Sequence, residues 1–376
     1  MDARYILFHA KPDTSELYFK VNVLELLPES KLFTNEEISL SVFIRWGNRD
    51  HRDSLNQEFQ LPSINGRGEI MGKAKIPMKQ GIWEVLVEIS DIKSRKKDFI
   101  KILTEKTASA NHSHDFLCIH SETKQPYFNN EIIHSDSILI LHSAGAIQNL
   151  RVDYCAREFK LPPPPFSDSQ TDMITSGDMH TIPSIHALNN ALALKVKSGY
   201  YQIKNGEESG VGSCWWVNTS GINDFTEPLD LAESLRYITT KSEYDLIIKS
   251  PELKKAIDNY WLECAGSKDR ARELISLYYG RVLHANRYFT SYTKGWRTDR
   301  GLIYIIYGPP KEVFEDEQYL RWYYEEQGEE GVIFNFKKSQ IPQVGTIYLL
   351  ERTAAHKTSW EARVQQWRQG KIYGKA

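Results

Sequence analysis

A chain of 376 residues has length for two or three domains, each with its own core, since single domains most often run to ~100–200 residues. Its formal charge of −2, with no long run of Lys or Arg, excludes the basic footprint of a protein that grips phosphate backbones, so nucleic acid is not expected as a partner. No apolar run approaches the ~20 residues that cross a bilayer, and none is expected to span a membrane.

The first stretch, residues 1–105, alternates short apolar runs with turn residues. Tyr5 to His9, Leu17 to Leu26, Ile38 to Trp46, Ile82 to Ile89 and Phe99 to Leu103 are predicted strands. Pro28-Glu29-Ser30, Asn65-Gly66, Gly68 and Gly81 punctuate them, and the spacing predicts an immunoglobulin-like antiparallel β-sandwich. A polar segment, Thr104 to His114, leads into a second predicted sandwich over 110–222. Its strands are Phe116 to His120, Ser137 to His142, Leu150 to Cys155, Leu192 to Val196, Tyr200 to Lys204 and Ser213 to Val217. Four prolines at 162–165 and a Ser/Asp/Thr-rich continuation interrupt it over 161–185. Consecutive prolines cannot donate ladder hydrogen bonds, so this insertion reads as an extended surface arm or as a strap laid along a partner.

After about 225 the period becomes helical. Ser250-Pro251-Glu252 predicts a helix start, and Leu253, Ala256, Ile257, Tyr260, Trp261 and Cys264 fall on one face. Gly266 ends that helix and Ser267 caps a longer one striped by Ala271, Leu274, Ile275, Tyr278, Val282, Ala285 and Phe289. Leu302 to Tyr307 reads as a strand stopped by Gly308-Pro309-Pro310. Further strands follow at Gln318 to Tyr324, Val332 to Lys337 and Thr346 to Glu351. A last helix is capped by Ser359 and carries Trp360, Val364 and Trp367. The fold class is therefore multidomain and mainly β, two immunoglobulin-like sandwiches followed by an α+β domain over 229–376.

The run Arg281-Val282-Leu283-His284-Ala285-Asn286-Arg287-Tyr288-Phe289, then Gly295-Trp296-Arg297-Thr298-Asp299-Arg300-Gly301 and Ile303 to Pro310, resembles the GWxTD domain. Tyr260-Trp261 and the closing Ser359-Trp360 and Trp367 to Tyr373 are similar to the version found in Bacteroidota envelope proteins, in which β-sandwich domains come first. The resemblance covers about 240–373 well and the sandwiches loosely. It implies a periplasmic, outer-membrane-associated protein that starts with a secretion or lipoprotein signal, and it carries no established reaction. The residues after Met1 have neither the basic nor the apolar region of a signal peptide, so a processed form, or a cytoplasmic protein, is expected.

The candidate binding residues are Gly295, Trp296, Arg297, Thr298, Asp299, Arg300 and Tyr304. Two readings compete. In one they build a helix–strand turn: Gly295 takes a backbone angle closed to other residues, Trp296 plugs a gap, and Thr298 and Asp299 bind loop amides. Arg300 then pairs with Asp299 or a neighbouring acid, and Gly301 lets the chain turn into the strand. In the other, Arg297, Asp299 and Arg300 line a cleft that holds a carboxylate or phosphate.

No nucleophile motif occurs, and no catalytic residue and no cofactor are expected. His112, His114, Cys118 and His120 match no standard metal spacing and read as chance clustering at a domain junction, so no metal is expected. Gly206 to Gly212 reads as a hairpin turn, and the acids at 315–317, 325–326 and 329–330 as solvated loops. Cys214 reads as a core cysteine beside Trp215, and the even number of cysteines does not establish disulfides. The expected function is non-catalytic: an interaction or structural component of an envelope assembly, linked to outer-membrane secretion or gliding machinery, with other envelope proteins as partners. The alternative is a hydrolase or small-ligand binder centred on the GWxTD loop.

Overall fold

Period-two burial builds the N-terminal part. In strand β2 (Thr14–Asn22), Ser15, Leu17 and Phe19 are buried while Thr14, Glu16, Tyr18 and Lys20 are partly exposed. This is a computed structural model. It describes residues 3–11, 13–22, 38–46, 53–55, 69–77, 81–91, 95, 97–106, 116–128, 132–142, 150–182, 191–205, 213–219, 228–325, 331–341 and 344–372. With β1 (Ala3–Lys11) and β5 (Glu69–Pro77), β2 forms an antiparallel sheet in the order β1-β2-β5. A second antiparallel sheet orders β3 (Ile38–Trp46), β4 (Asp53–Leu55), β6 (Gly81–Asp91) and β7 (Lys97–Lys106) as β4-β3-β6-β7. Strand β5 escapes the sequence reading because two of its inward positions are Gly72 and Ala74, so its hydrophobic alternation is faint. Gly72 has to be small: a Cβ there would lie 2.1 Å from the Phe19 ring.

The second β region contains β8 (Phe116–His120), β9 (Ile132–Ile133), β10 (Ser137–His142), β11 (Leu150–Cys155), β12 (His180–Thr181), β13 (Ala191–Lys195), β14 (Gly199–Asn205) and β15 (Ser213–Val217). Two sheets, β13-β10-β8 and β12-β11-β14-β15-β9, share one apolar core. Phe116, Ile138, Ile140 and Leu192 meet Val152, Ile203, Trp215 and Val217 there. The β15–β9 pairing is parallel and the others are antiparallel. The opposite face of the five-stranded sheet presents Cys155, Tyr200, Cys214 and Trp216, which pack with Tyr292 and Ile347 of the C-terminal region. All four cysteines are free thiols.

The C-terminal region has helices α1 (Pro228–Ser234), α2 (Lys241–Ile248), α3 (Leu253–Ala265), α4 (Lys268–Phe289), α5 (Asp299–Tyr307) and α6 (Lys357–Arg368). Its sheet runs in sequence order through β16 (Glu312–Glu315), β17 (Tyr319–Tyr324), β18 (Val332–Ile341) and β19 (Gly345–Leu350). The apolar stripes predicted for α3 and α4 face one core, where Trp261, Tyr278 and Trp367 are fully buried with ring centroids 5.1–6.3 Å apart. Gly266, at φ 71°, closes α3, and the Ser267 hydroxyl accepts the Arg270 amide to open α4. Ser250 instead accepts the Glu252 amide in a turn just ahead of α3, whose cap position is Glu252. Ser359 sits inside α6, bonded to the Tyr307 hydroxyl.

The main correction concerns Leu302 to Tyr307, which is helical. Each residue from Gly301 to Tyr307 is buried, so no polar face marks a helical period, and a short β-branched and aromatic run imitates a strand. Tertiary contacts decide the matter. Arg281, buried in α4, donates to the carbonyls of Ile305 and Ile306 at 3.0 and 3.2 Å, and Trp367 Nε1 also donates to Ile306. These donors terminate α5 and place positive charge at its negative end.

Helix α6 is clasped to α2 by Arg368, which donates to both oxygens of Glu243 at 2.6 and 2.8 Å. Arg368, and after it the Thr240 amide and hydroxyl, hold the Glu243 carboxyl at about 2 despite its partial burial. An unfolded chain binds that proton at about 4.3, so the contribution is present above pH ~4.3 and lost as pH falls towards 2. Urea midpoints of wild type and Glu243→Gln should therefore differ at pH 7 and come together only as the pH falls to about 2.

Candidate functional site

A tight turn of 3-10 helix, Gly295–Arg297, joins the end of α4 to α5. Gly295 does not have the positive φ that the sequence reading gave it; its backbone is pressed against α4. A Cβ there would lie 1.9 Å from the Ala285 carbonyl oxygen, and one at Gly301 would lie 2.1 Å from the Gly295 oxygen. The two glycines thus let three backbone segments stack without side chains between them. Trp296 is 1% exposed; its amide donates to Asn286 Oδ1 at 3.1 Å and its carbonyl accepts the Tyr237 hydroxyl at 2.9 Å. Thr298 is the N-cap of α5, accepting the Gly301 amide at 3.0 Å and donating to the Gly295 oxygen at 2.7 Å.

Asp299 binds no loop amide of its own turn and does not pair with Arg300. Its buried carboxylate accepts from Arg352 Nη2 at 2.5 Å, the Leu350 amide of β19 at 2.8 Å, and the Thr171 hydroxyl at 2.8 and 2.9 Å. Arg352 also donates to the Pro163 carbonyl at 3.0 Å, the Thr353 amide to the Pro165 carbonyl at 3.0 Å, and the Tyr292 hydroxyl to the Asp172 carbonyl at 2.9 Å. The proline-rich insertion is therefore a strap on the chain's own C-terminal region. Thr171 and Arg352 gave no sequence signal; each meets Asp299 across more than fifty residues.

The remaining motif residues separate. Arg297 lines a cleft of about 360 Å³ between the GWxTD loop and the β14–β15 sheet, bounded also by Lys294, Asp230, Glu233, Trp216 and Phe159. Its guanidinium pairs with Glu233 at 2.9 Å and donates to the Phe159 carbonyl at 2.9 Å, while Lys294 pairs with Asp230 at 2.6 Å. Burial pushes the Glu233 carboxyl up, with Asp230 and Glu158 adding to it against the pull of Arg297. Arg300 lies on the far side, stacked 3.9 Å from the Tyr348 ring centroid and 4.9 Å from that of Phe289. It lines a separate cavity of about 30 Å³. Tyr304 lines neither; its hydroxyl hydrogen-bonds His284 Nδ1 at 2.9 Å.

His112 and His114 fall outside the described residues. Cys118 is a core side chain, and His120 Nδ1 accepts the amides of Glu122 and Thr123. Among the described residues no group of three or more His, Cys, Asp or Glu is placed to hold a metal. The strands flanking 206–212 pair antiparallel, as a hairpin requires, although the loop itself is outside the described residues. Glu315 pairs with Lys338, and Asp316 accepts the Gln318 and Tyr319 amides, so these acids close the β16–β17 turn.

Fold and site together define a mainly β protein with several antiparallel sheets and a C-terminal helical region built around a buried Gly-Trp-Arg-Thr-Asp turn. The family profile of the GWxTD domain matches residues 199–369, so the chain carries a GWxTD domain over that stretch. That match begins at the first residue of β14, inside the second β region. Among curated proteins none matches the chain. No helix among the described residues is long and apolar enough to cross a membrane.

Removing the Asp299 carboxylate leaves the Arg352 guanidinium buried without its counter-charge, which costs about 3–5 kcal/mol. Asp299→Ala should show that loss in urea unfolding, and a double-mutant cycle with Arg352→Met should recover a large part of it. Gly295→Ala, forced against the Ala285 carbonyl, should cost at least as much as an overpacked core, about 1–3 kcal/mol, by thermal melting.

Proposed function

We propose that this protein is a non-catalytic interaction component of a bacterial cell-envelope assembly. The observation that carries the reading is the fate of Asp299, whose oxygens are occupied by Arg352, Leu350 and Thr171 in a water-poor interior. A carboxylate so engaged has no free oxygen to serve as a base or nucleophile, and its turn works as a structural junction. The two N-terminal β regions then act as immunoglobulin-like spacers or docking surfaces. The setting is the periplasmic face of an outer membrane of Bacteroidota type, in a lipoprotein linked to secretion or gliding machinery. Open sheet edges support this: β16 is an edge strand whose Val313 and Phe314 are 54% and 51% exposed, and such edges accept partner chains. The proline strap is not an attachment point in this reading, because the chain's own C-terminal region occupies it.

The cleft beside Arg297 favours a second reading, a small-ligand site, through its volume and the raised Glu233 carboxyl. Against it, Lys294 and Arg297 are both held by acids of α1.

Affinity isolation of the tagged full chain from its native envelope, after mild cross-linking, tests the first reading. The expected result is stoichiometric recovery of one or more envelope proteins. Recovery of the free monomer alone would count against the interaction reading and leave the cleft as the better starting point.

A further inference from the structure

Of the motif's charged groups, Arg300 forms no ion pair among the described residues, and Glu315, the acid whose charge acts on it, is paired with Lys338. Among the described residues its guanidinium makes no ion pair and no hydrogen bond, and its contacts are the faces of Tyr348 and Phe289. Ring faces attract the cation but accept none of its five N–H donors in the plane of the fork. The nearby acids are committed elsewhere: Asp299 to Arg352, and Glu315 to Lys338 at 2.6 Å. Burial lowers the Arg300 pKa to about 10, so the group is still charged at neutral pH.

The cavity beside it adds donors. It lies between the start of α5, Ser291, Tyr292 and the outer edge of β19, where Thr346 to Leu349 line it. Strand β19 is the last in its sheet. The Glu351 amide points inward to the Asn335 carbonyl, and the Leu350 amide points outward to Asp299. Amides in an antiparallel ladder alternate in direction, so those of Thr346 and Tyr348 also point outward, and no described residue accepts them. Arg300, Ser291, Thr171 and the outward edge of β19 at Thr346 and Tyr348 thus line a space of about 30 Å³. The one acid in the lining, Asp299, is neutralised by Arg352.

We propose that this cavity binds a carboxylate carried by an acidic segment of a partner polypeptide. The carboxylate lies in the plane of the Arg300 fork, and the segment that carries it enters at Thr346, where β19 is exposed before the start of α5 covers its edge. A planar two-oxygen acceptor matches a guanidinium fork. The space suits a carboxylate headgroup and is small for a sugar phosphate. The partner in this proposal is the one required by the interaction reading above.

The test follows the Arg300 Nε–Hε resonance and the backbone amides of Thr346 and Tyr348 in the full chain during titration with N-acetylaspartate N-methylamide, whose only carboxylate is the side chain, its amide counterpart N-acetylasparagine N-methylamide, and inorganic phosphate. The expected result is a saturable shift with the carboxylate and none with the amide. Arg300→Gln, which removes the side-chain probe and is read from the Thr346 and Tyr348 amides, should weaken binding about 10- to 100-fold, as expected for loss of a charge-assisted hydrogen bond. Arg300→Lys keeps the charge and loses the fork, so it should fall between the two, and it carries the test if the glutamine variant melts without cooperativity. The proposal is overturned by a shift of equal size with the amide, by no saturable shift, by preference for phosphate, or by unchanged affinity in both variants. Envelope isolation with wild type and Arg300→Lys separates this site from the broader reading. Partners recovered equally by both, without carboxylate binding, overturn the site alone. Carboxylate binding without any recovered partner leaves the site and overturns the interaction reading.

Discussion

A carboxylate taken out of water costs several kcal/mol unless cations and hydrogen-bond donors replace its hydration, and Asp299 is almost fully buried. Its replacements are three donors, one from the proline strap and two from the end of the last strand and the residues just after it. Arg352 supplies the charge, β19 an amide, the proline strap the Thr171 hydroxyl, and α5 holds the carboxylate itself at its first turn. An acid in the first turn also suits the positive end of the helix. Because the donors come from the strap and from the end of the last strand, the carboxylate is satisfied only when these two and the motif turn have assembled together. The buried pair therefore specifies an arrangement more than it adds stability, which is where buried ion pairs are best understood to act.

The turn that delivers Asp299 depends on distances that admit no side chain. Gly295 rests on the carbonyl of Ala285 and Gly301 on the carbonyl of Gly295, so α4, the turn and α5 are layered backbone against backbone. Trp296 then fills the space beside Tyr237, and Thr298 closes the first turn of α5. Arg281 answers at the other end, capping the carbonyls of Ile305 and Ile306 from within the core. A nine-residue helix of β-branched and aromatic residues has weak intrinsic preference for that conformation, and both of its ends are fixed by groups from neighbouring segments.

That dependence explains which features the sequence made legible. The strands of the second β region, the stripes of α3 and α4, and the Gly266-Ser267 joint between them follow from local periodicity and capping, and each lies where the pattern places it. Helix α5 carries no local pattern, because every side is buried. Strand β5 is disguised by Gly72, a glycine that exists to make room for Phe19. The partners of Asp299 were invisible for a different reason: Thr171 and Arg352 are unremarkable in their own neighbourhoods, and only tertiary geometry brings them to one carboxylate. Trp296 as a plug follows from its chemistry, whereas Thr298, read as a binder of loop amides ahead of a strand, is the cap of a helix. The duties of the arginines do not follow from chemistry, because a guanidinium fits an ion pair, a carbonyl cap or an aromatic stack equally well.

The structure uses arginine in all three ways around α5 and the motif turn. Arg352 neutralises Asp299, Arg281 caps α5, and Arg297 bridges Glu233 and the Phe159 carbonyl at the cleft. Arg352 and Arg297 are enclosed by acceptors that replace lost water, whereas Arg281 donates through Nη1 and its buried Nε finds no acceptor among the described residues. Arg300 has aromatic faces and no acceptor, although it follows Asp299 directly in sequence. If Asp299 paired with its neighbour, the carboxylate would turn away from β19 and the strap, and the junction would lose its centre. Committing Asp299 to Arg352 builds the domain and in the same act leaves Arg300 charged and unanswered at a strand edge.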